Sequence, residues 1–308
     1  MLKVVRQKSS LIFNIYMKYK NLLPFHEDVK VMTQFGMIPL SVMEFINDDK
    51  WEIAYFKQDE SEKRRSDDCE YLSGLGMSEF SSAICEFIVK YWSMENANIV
   101  DPFAGRATRA IISSKLNRNY FGYEISPKTY TRSKQQYLKA NVSPNLYLSD
   151  GCHMKETPAE FAHLVMTCPP YGSIEKYESV AGQLSDIKKY DDFMNSIDVC
   201  ISNIYRVLKP GGFCCWVVAD WRDASGYHQF GSDSIQLFKK NGLIPHDTII
   251  IKNNSPFASL MCGKCASKRI TSKTHEYLLV FRKSGDLDLT GLKLTPINKT
   301  AEQFFELD

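Results

Sequence analysis

The sequence lacks long apolar runs, a strong excess of charge of either sign, and repetitive or low-complexity stretches. No segment approaches the roughly 18–20 apolar residues that a membrane-spanning helix requires, so a membrane protein is not expected. Lys and Arg number 38 and Asp and Glu 36, so the formal net charge of +2 neither requires nor excludes a nucleic-acid partner. The 44% of hydrophobic residues is ordinary globular usage and excludes a disordered or collagen-like chain.

The sequence also shows no secretion signal near its start and no paired set of cysteines. Basic and polar residues interrupt the apolar positions among the first 30 residues, and no small-residue cleavage site follows. The nine cysteines are scattered, several of them within apolar segments, which predicts reduced thiols in a cytoplasmic protein. Cys262 and Cys265 have metal-ligand spacing, but no second pair or nearby histidine completes four ligands, so no metal site is expected.

The hydrophobic pattern changes near residue 76 and divides the chain into three predicted regions. Residues 1–75 have no sustained periodicity and predict an N-terminal extension, either a recognition or a dimerisation element. Residues 76–285 alternate strands with helices, which predicts a mostly parallel α/β sheet with helices on both faces. The last two strands lie too close for a helical crossover and predict an antiparallel pair at one sheet edge. Residues 286–308 are predicted to form a C-terminal tail.

Three of the first four predicted strands end in an acidic residue, namely Asp101, Glu124 and Asp150. Ligands of such sheets bind beyond the carboxyl ends of the strands, and three acids there favour a polar ligand over simple turn residues. Glu124 lies 19 residues after Gly105, a spacing typical of an acid that accepts ribose hydroxyls. A single glycine disfavours a pyrophosphate cofactor, so the pattern favours S-adenosylmethionine.

The fourth predicted strand runs directly into the sequence TCPPY at 167–171. Pro169 and Pro170 fix φ and remove backbone donors, so nearby carbonyls can face a ligand. Tyr171 offers a flat face on which a base can stack. The alternative is a rigid loop with a buried tyrosine, and it is weaker because the segment follows three strands that end in acids.

Two of these segments resemble motifs of DNA amino-methyltransferases. The residues from Asp101 to Thr108 resemble the cofactor motif D-P-F-x-G-x-G-T, and those from Cys168 to Tyr171 resemble the catalytic motif [DNS]-P-P-[YFW]. Weaker similarities to phage- and prophage-type DNA methylases extend over roughly residues 35–283. The resemblance implies a Rossmann-like methyltransferase fold with a mostly parallel seven-stranded sheet. It also implies S-adenosylmethionine-dependent methylation of cytosine N4 or adenine N6 in DNA.

The resemblance implies a role for each matched residue. The implied cofactor residues are Asp101, Pro102, Phe103, Gly105, Thr108, Glu124 (at the ribose), Asp150 (at the adenine) and Cys152. The residues implied to hold the target base are Cys168, Pro169, Pro170 and Tyr171. The base would be flipped out of double-stranded DNA, and hydrogen bonds would orient its amine without a covalent enzyme intermediate.

Two positions depart from the family motifs. Ala107 stands where the family often has glycine, and Cys168 stands where it has Asp, Asn or Ser. A thiol is a weak acceptor, and its size lies nearest to serine, which the family associates with cytosine N4. The alternative use of Cys168, as the nucleophile of cytosine C5 methylation, is disfavoured because that chemistry normally uses the order Pro-Cys.

Local basic residues give candidates for DNA contacts. Residues 252–274 carry five basic residues and no acid, which favours phosphate contacts over a solvated basic loop. The candidates in this segment are Lys264, Lys268, Arg269 and Lys273. A further candidate, Arg222, follows the fifth predicted strand. Two other functions remain open: methylation of RNA bases, and a catalytically weak DNA-binding protein that retains the fold. A homodimer is a further possibility for the N-terminal extension.

Overall fold

The computed structural model of the chain describes residues 41–45, 69–71, 80–172, 175–252 and 265–293. Its helices are α1 Ser82–Trp92, α2 Thr108–Lys115, α3 Pro127–Lys139, α4 Tyr190–Val207 and α5 Phe230–Lys240. Its strands are β1 Val42–Glu44, β2 Cys69–Tyr71, β3 Asn98–Asp101, β4 Asn119–Glu124, β5 Asn145–Leu148, β6 Ala162–Thr167, β7 Glu175–Tyr177, β8 Leu208–Val218, β9 Trp221–Asp223, β10 Gly226–His228, β11 Ile244–Lys252 and β12 His275–Arg282. No helix among the described residues is long and apolar enough to cross a membrane.

Eight described strands form one mixed sheet in the order β1-β11-β12-β8-β6-β3-β4-β5. Strands β3, β4, β5, β6 and β8 pair in parallel, while β12 runs antiparallel to both β8 and β11. The predicted parallel sheet and antiparallel pair are confirmed. The sheet has one strand more than the expected seven, because β1 pairs in parallel with β11 on its outer side. β1 comes from the segment predicted as an N-terminal extension.

Strand β8 shows how one sequence buries both faces of this sheet. Side chains alternate across a strand, so an almost wholly apolar strand has partners on both sides. Phe213, Cys215 and Val217 pack in the core formed with α1 and α2. Cys214, Trp216 and Val218 pack in the core formed with α4 and α5. Helices therefore cover both faces, as the alternation of strands and helices predicts.

The structure differs from the sequence-based expectations mainly at element boundaries. The residues 209–212 are expected to form a turn after a long helix, but β8 begins at Leu208 and includes them. Gly211 has φ +75 there, and the pairing of β6 with β8 changes register between Ala162 and Leu164. The short β9–β10 hairpin was not predicted, because three-residue strands carry too little pattern to be recognised.

The carboxyl ends of the parallel strands meet at one edge of the sheet, which we call the tip edge. Asp101 ends β3 and Glu124 ends β4, and Cys168 follows the last residue of β6. Because β12 runs antiparallel to β8, its first residues, His275 and Glu276, lie at the same edge. Residues from the start of the α/β region, such as Asp101, and from its end, such as Glu276, therefore meet at the tip edge.

Candidate active site

Two adjoining cavities open at the tip edge. The larger has a volume of about 260 Å³ and the smaller about 90 Å³. Both are lined by Phe103, Gly105, Glu124 and Cys168. The predicted residues that line the larger cavity in addition are Thr108, Pro169 and Tyr171. Those that line the smaller one in addition are Pro102, Asp150, Cys152 and Pro170. The two sequence motifs therefore border one continuous site.

Asp101 is a predicted cofactor residue that lies beneath the cavities and does not line them. Its side chain is 0% exposed and is not among the described residues that line either cavity. Oδ2 accepts hydrogen bonds from Arg109 Nε and from the Tyr120 hydroxyl, each at 2.6 Å. Oδ1 accepts from Thr167 Oγ1 at 2.6 Å and from the Phe103 backbone N–H at 3.1 Å. Asp101 thus ties together three neighbouring strands beneath the cofactor motif.

Arg109 links this buried network to the cavity. It lies in the first turn of α2, lines the larger cavity, and donates to the backbone carbonyls of Phe103 and Ala104. Burial lowers the pKa of Arg109, but the adjacent Asp101 carboxylate outweighs burial and raises it above its ordinary value. The ion pair therefore stays charged at physiological pH and fixes the shape of the loop between β3 and α2.

Two glycines allow the loops around the smaller cavity to approach closely. Gly105 has φ +52, a conformation that side chains disfavour. A Cβ at Gly151 would lie 1.7 Å from the carbonyl oxygen of Pro102, so the loop after β5 touches the loop after β3 backbone to backbone. Any other residue at 151 would push these two loops apart. The wall of the smaller cavity depends on this contact.

Glu124 stands where the two cavities join. Its side chain accepts the Ser126 backbone N–H at 2.7 Å, and the residue is 9% exposed. Burial raises the pKa of Glu124 to about 7, although backbone N–H groups of Ser126 and Gly105 act in the opposite direction. Its ionised form therefore becomes dominant only above neutral pH while no ligand donor is present.

Asp150 lies on the wall of the smaller cavity, beyond the end of β5. Its Oδ1 accepts the Cys152 backbone N–H at 2.8 Å, and its Oδ2 lies 3.6 Å from His153 Nε2. The side chain is about one-third exposed, so it keeps acceptor capacity toward a ligand. Two carboxylates, those of Glu124 and Asp150, thus line the smaller cavity.

The loop after β6 holds the predicted catalytic residues in one cluster. Cys168 Sγ lies 3.8 Å from the Tyr171 hydroxyl and 4.0 Å from the Pro169 carbonyl oxygen. Tyr171 is 9% exposed, and its backbone N–H donates to Glu175 Oε2 at 3.2 Å. Burial raises the pKa of the Cys168 thiol to about 12. Cys168 is therefore a neutral thiol, which argues against a nucleophilic role.

Aromatic residues support this loop from behind. The Trp221 ring at the start of β9 lies 6.3 Å from the Tyr171 ring, centroid to centroid. Gly172 has φ +53, and a Cβ there would lie 3.0 Å from Trp221. Trp221 also packs edge-on against Phe193 and Phe230. The tyrosine of the catalytic motif is thereby held by core residues of α4 and α5.

Two of the predicted DNA-contact residues come together on the surface beside this loop. Arg222 lies 4.2 Å from the Tyr227 ring centroid, and Lys273 Nζ lies 4.8 Å from it. Lys273 donates to the Tyr227 hydroxyl at 2.9 Å, and that hydroxyl donates to Asp220 Oδ2 at 2.7 Å. We call Arg222, Tyr227 and Lys273 the Tyr227 cluster. It places two exposed cations on one side of the β9–β10 hairpin, whose Trp221 packs against Tyr171.

The other predicted basic residues lie in a neighbouring segment. Lys268 and Arg269 are exposed and follow the described helical residues 265–267, and Arg269 has φ +52. Lys264 lies outside the described residues, as does Cys262. Within the described ranges no group of three or more His, Cys, Asp or Glu residues could hold a metal ion.

Three residues of the site were missed by the sequence analysis. Arg109 stands eight residues after Asp101, but nothing in the motif indicates that the two pair. Glu175 stands four residues after Tyr171, is 3% exposed, and accepts both the Tyr171 N–H and the Tyr177 hydroxyl. Glu276 lines the larger cavity because β12 begins at the tip edge. The predicted antiparallel direction of the last strand could have indicated Glu276, because the first residues of such a strand lie where the parallel strands end.

Two solved structures align with part of this chain at low sequence identity. TrmN from Thermus thermophilus is 11% identical, with a TM-score of 0.47, covering 66% of this chain and 49% of its own. An S-adenosylmethionine-dependent methyltransferase from Clostridium acetobutylicum is 11% identical, with a TM-score of 0.40, covering 62% and 86%.

Sequence comparison identifies the family. The Type II methyltransferase M.MjaI of Methanocaldococcus jannaschii is 28% identical over 174 residues, which cover 47% of this chain and 57% of that protein. The chain therefore spans little more than half the length of this curated relative. The model of the DNA methylase family of N6 and N4 methyltransferases matches residues 12–135 and 162–305, which is well over half of the chain. The chain belongs to this DNA methylase family.

Proposed function

We propose that this protein transfers a methyl group from S-adenosylmethionine to the exocyclic amine of a DNA base, cytosine N4 or adenine N6, after the base has flipped out of the duplex. The observation that carries the proposal is the shared site at the tip edge. Residues of the cofactor motif and of the catalytic motif line the same larger cavity, with Glu124 and Tyr171 among them. Family membership supports the same reaction class.

The residues of the smaller cavity fit a nucleoside. Glu124 and Asp150 offer two carboxylate acceptors, which suit ribose hydroxyls and the adenine amine. Gly151 removes the side chain that would collide with the Pro102 carbonyl, so the ligand can lie against backbone. Leu184 and Tyr123 add apolar surface to the lining. In the bound state the cofactor supplies an activated methyl group.

The residues of the larger cavity act on the target base. An exocyclic amine is a poor nucleophile because its lone pair is delocalised into the ring. Hydrogen bonds from its hydrogens to acceptors such as the Pro169 carbonyl favour a geometry in which the lone pair is available for transfer. Tyr171 stacks on the extruded base, and stacking of this kind contributes about 1–3 kcal/mol per base.

Transfer of tritiated methyl groups from labelled cofactor to DNA and to RNA tests the proposed function. We expect label on double-stranded DNA and none on RNA. Label on RNA alone would overturn the assignment of DNA as the substrate. DNA binding that weakens with salt, without any transfer of label, would instead assign a binding protein that retained the fold.

We predict that cofactor affinity rises with pH because Glu124 accepts hydroxyl groups best when ionised. Its folded-state pKa of about 7 lies above the ordinary value of 4.5, so the ionised fraction grows as pH passes through neutrality. If the ionised form alone binds, affinity increases by at most about tenfold between pH about 6 and about 8. Calorimetry on wild type and on Glu124→Gln checks this. An equal pH dependence in both proteins would contradict the role of Glu124.

The same pKa shift predicts how Glu124 acts on stability in the absence of cofactor. Because the folded-state pKa is raised above the unfolded one, its contribution to stability is fully present below pH about 4.5 and is lost as pH rises through about 7. Glu124→Gln removes this titration. The unfolding free energies of the two proteins in urea should therefore diverge between pH about 4.5 and about 7, with the Gln variant more stable at neutral pH and above. Parallel curves would contradict the raised pKa.

We propose that the Tyr227 cluster and the segment with Lys268 and Arg269 contact DNA phosphates beside the flipped base. Arg222→Ala with Lys273→Ala should weaken DNA binding and lower the salt slope by roughly one for each cation lost. The matched control is Lys240→Ala, because Lys240 is an exposed cation of α5 that pairs with Asp198 of α4. Equal salt slopes in the double variant and the control would assign the cluster to the solvated surface. The predicted homodimer and the role of residues 1–75 stay predictions.

A further inference from the structure

The catalytic motif of this chain has a weak acceptor at its first position. The motif it resembles has Asp, Asn or Ser where this chain has Cys168. The Cys168 thiol is neutral because burial raises its pKa to about 12. A neutral thiol accepts hydrogen bonds poorly and cannot take a proton from an amine. Beside the Pro169 carbonyl, the place of a strong side-chain acceptor for the target amine is therefore open to another residue of the larger cavity, if the reaction is the one proposed above.

The strand register places Glu276 on the same face of the sheet as Cys168. Side chains two residues apart share a face. Met166 pairs with Cys215 between β6 and β8, so Cys168, two residues on, continues on the face that carries Val217. Val217 pairs with Leu278 between β8 and β12, and Glu276 precedes Leu278 by two residues.

The larger cavity contains these side chains together. Cys168, Val217 and Glu276 all line it, as do Pro169 and Tyr171. Glu276 is half-buried, so it is a lining residue that is not enclosed in the core. Among charged groups, Glu276 has the largest effect on the pKa of the Cys168 thiol and raises it, which agrees with the proximity of the two side chains.

Two other carboxylates line the larger cavity. Glu124 also lines the smaller cavity, where it is proposed to accept the ribose hydroxyls, and Glu175 is committed to the loop after β6. Its Oε2 accepts the Tyr171 backbone N–H at 3.2 Å and the Tyr177 hydroxyl at 2.9 Å. It is 3% exposed, whereas Glu276 is half-buried. Glu175 is therefore a positioning residue for Tyr171.

We propose that Glu276 is a catalytic residue that accepts a hydrogen bond and then a proton from the target amine, in place of the side chain missing at position 168. This rests on the proposed function. The amine nitrogen forms a bond to the methyl carbon, and the carbon–sulfur bond breaks with its electron pair on sulfur. The methylated amine then passes one proton to the Glu276 carboxylate, which releases it to water.

Single-turnover methylation by Glu276→Gln tests the proposal, with Glu44→Gln as the matched control. Glu44 is an exposed β1 residue paired with Lys252. We expect Glu276→Gln to slow transfer by about 100-fold, the size typical of a lost proton acceptor, while cofactor affinity and Tm stay at the wild-type values. Adding Cys168→Asp to Glu276→Gln should restore at least about tenfold, because the carboxylate returns at the motif position.

Binding of DNA without cofactor gives a second measure. The probes are two duplexes, one with the target base and one with its deaminated counterpart, which has a carbonyl oxygen in place of the amine. Wild type should prefer the amine by about tenfold, since a carboxylate accepts from an amine and repels a carbonyl. Glu276→Gln should lose this preference, because its amide can donate to the carbonyl.

The opposing results are equally definite. Wild-type rates and preference in Glu276→Gln, or a rate loss that comes with a lower Tm and is not restored by Cys168→Asp, would overturn the proposal. The proposal would also be overturned if Cys168→Asp restored the rate of methyl transfer in Glu175→Gln but not in Glu276→Gln. That result would assign the acceptor to Glu175. Absence of transfer by the wild-type protein would instead remove the proposed function, and this inference with it.

Discussion

Asp101→Ala is expected to lower the free energy of unfolding by about 3–5 kcal/mol, because it leaves the Arg109 guanidinium buried without its counter-charge. The substitution also removes the acceptor of the Tyr120 and Thr167 hydroxyls, both buried. Loss of the Phe103 contact should loosen the loop between β3 and α2 and weaken cofactor binding as well. Urea unfolding and calorimetry measure the two effects.

A second variant separates the loss of the ion pair from the loss of a contact with the cofactor. Replacing both partners, Asp101→Ala with Arg109→Met, removes the unpaired charge and should recover more than half of the lost stability. Cofactor affinity should stay low in this double variant, since the loop is still untied. A decrease of less than about 1 kcal/mol in the free energy of unfolding of Asp101→Ala would show that water solvates the Arg109 guanidinium. It would contradict the buried ion pair.

Tyr171→Ala is expected to reduce the rate of methyl transfer by about 10–100-fold, which corresponds to the loss of one base–aromatic stacking interaction. Its ring lines the larger cavity and rests against Trp221, so the substitution removes the surface on which the extruded base would lie. The nucleoside side of the site, at Glu124 and Asp150, does not include the ring. Cofactor affinity should therefore change little. Single-turnover kinetics and calorimetry give the two quantities.

Tyr171→Phe is the matched control for this prediction. It keeps the aromatic face and loses the hydroxyl, whose contact with Cys168 is long at 3.8 Å. We expect it to retain most of the wild-type rate, within about threefold, because stacking requires the ring alone. Full activity of Tyr171→Ala would refute the stacking role. Equal losses in both variants would shift the role from the ring to the hydroxyl.

The fold could be predicted from the sequence where the pattern is local. Strands such as β8, apolar on both faces, and the acids that end β3 and β4 have periodicity and spacing that fix their place in a parallel sheet. Element ends were less certain, since Leu208 joins helix and strand without a loop. The pairing of β1 with β11 joins residues more than 200 positions apart, and no local pattern encodes it.

The candidate site was predictable to the extent that motifs name it. Pro102, Phe103, Gly105 and Thr108 of the first motif line the cavities, as do the residues from Cys168 to Tyr171 of the second. The pairing of Asp101 with Arg109 was not foreseen, because a motif aspartate is expected to face the ligand and a buried partner is visible only in three dimensions. Glu276 was missed since its strand reaches the tip edge by running backwards.

The central claim is that the strand tips and the loop after β6 form one methyl-transfer site for a DNA amine. Mass spectrometry of nucleosides from DNA treated with protein and S-adenosylmethionine tests it most directly. The account predicts N4-methylcytosine or N6-methyladenine, strongly reduced with Tyr171→Ala. Methylation at cytosine C5, or unmodified DNA after exhaustive treatment with folded, cofactor-bound protein, would contradict it.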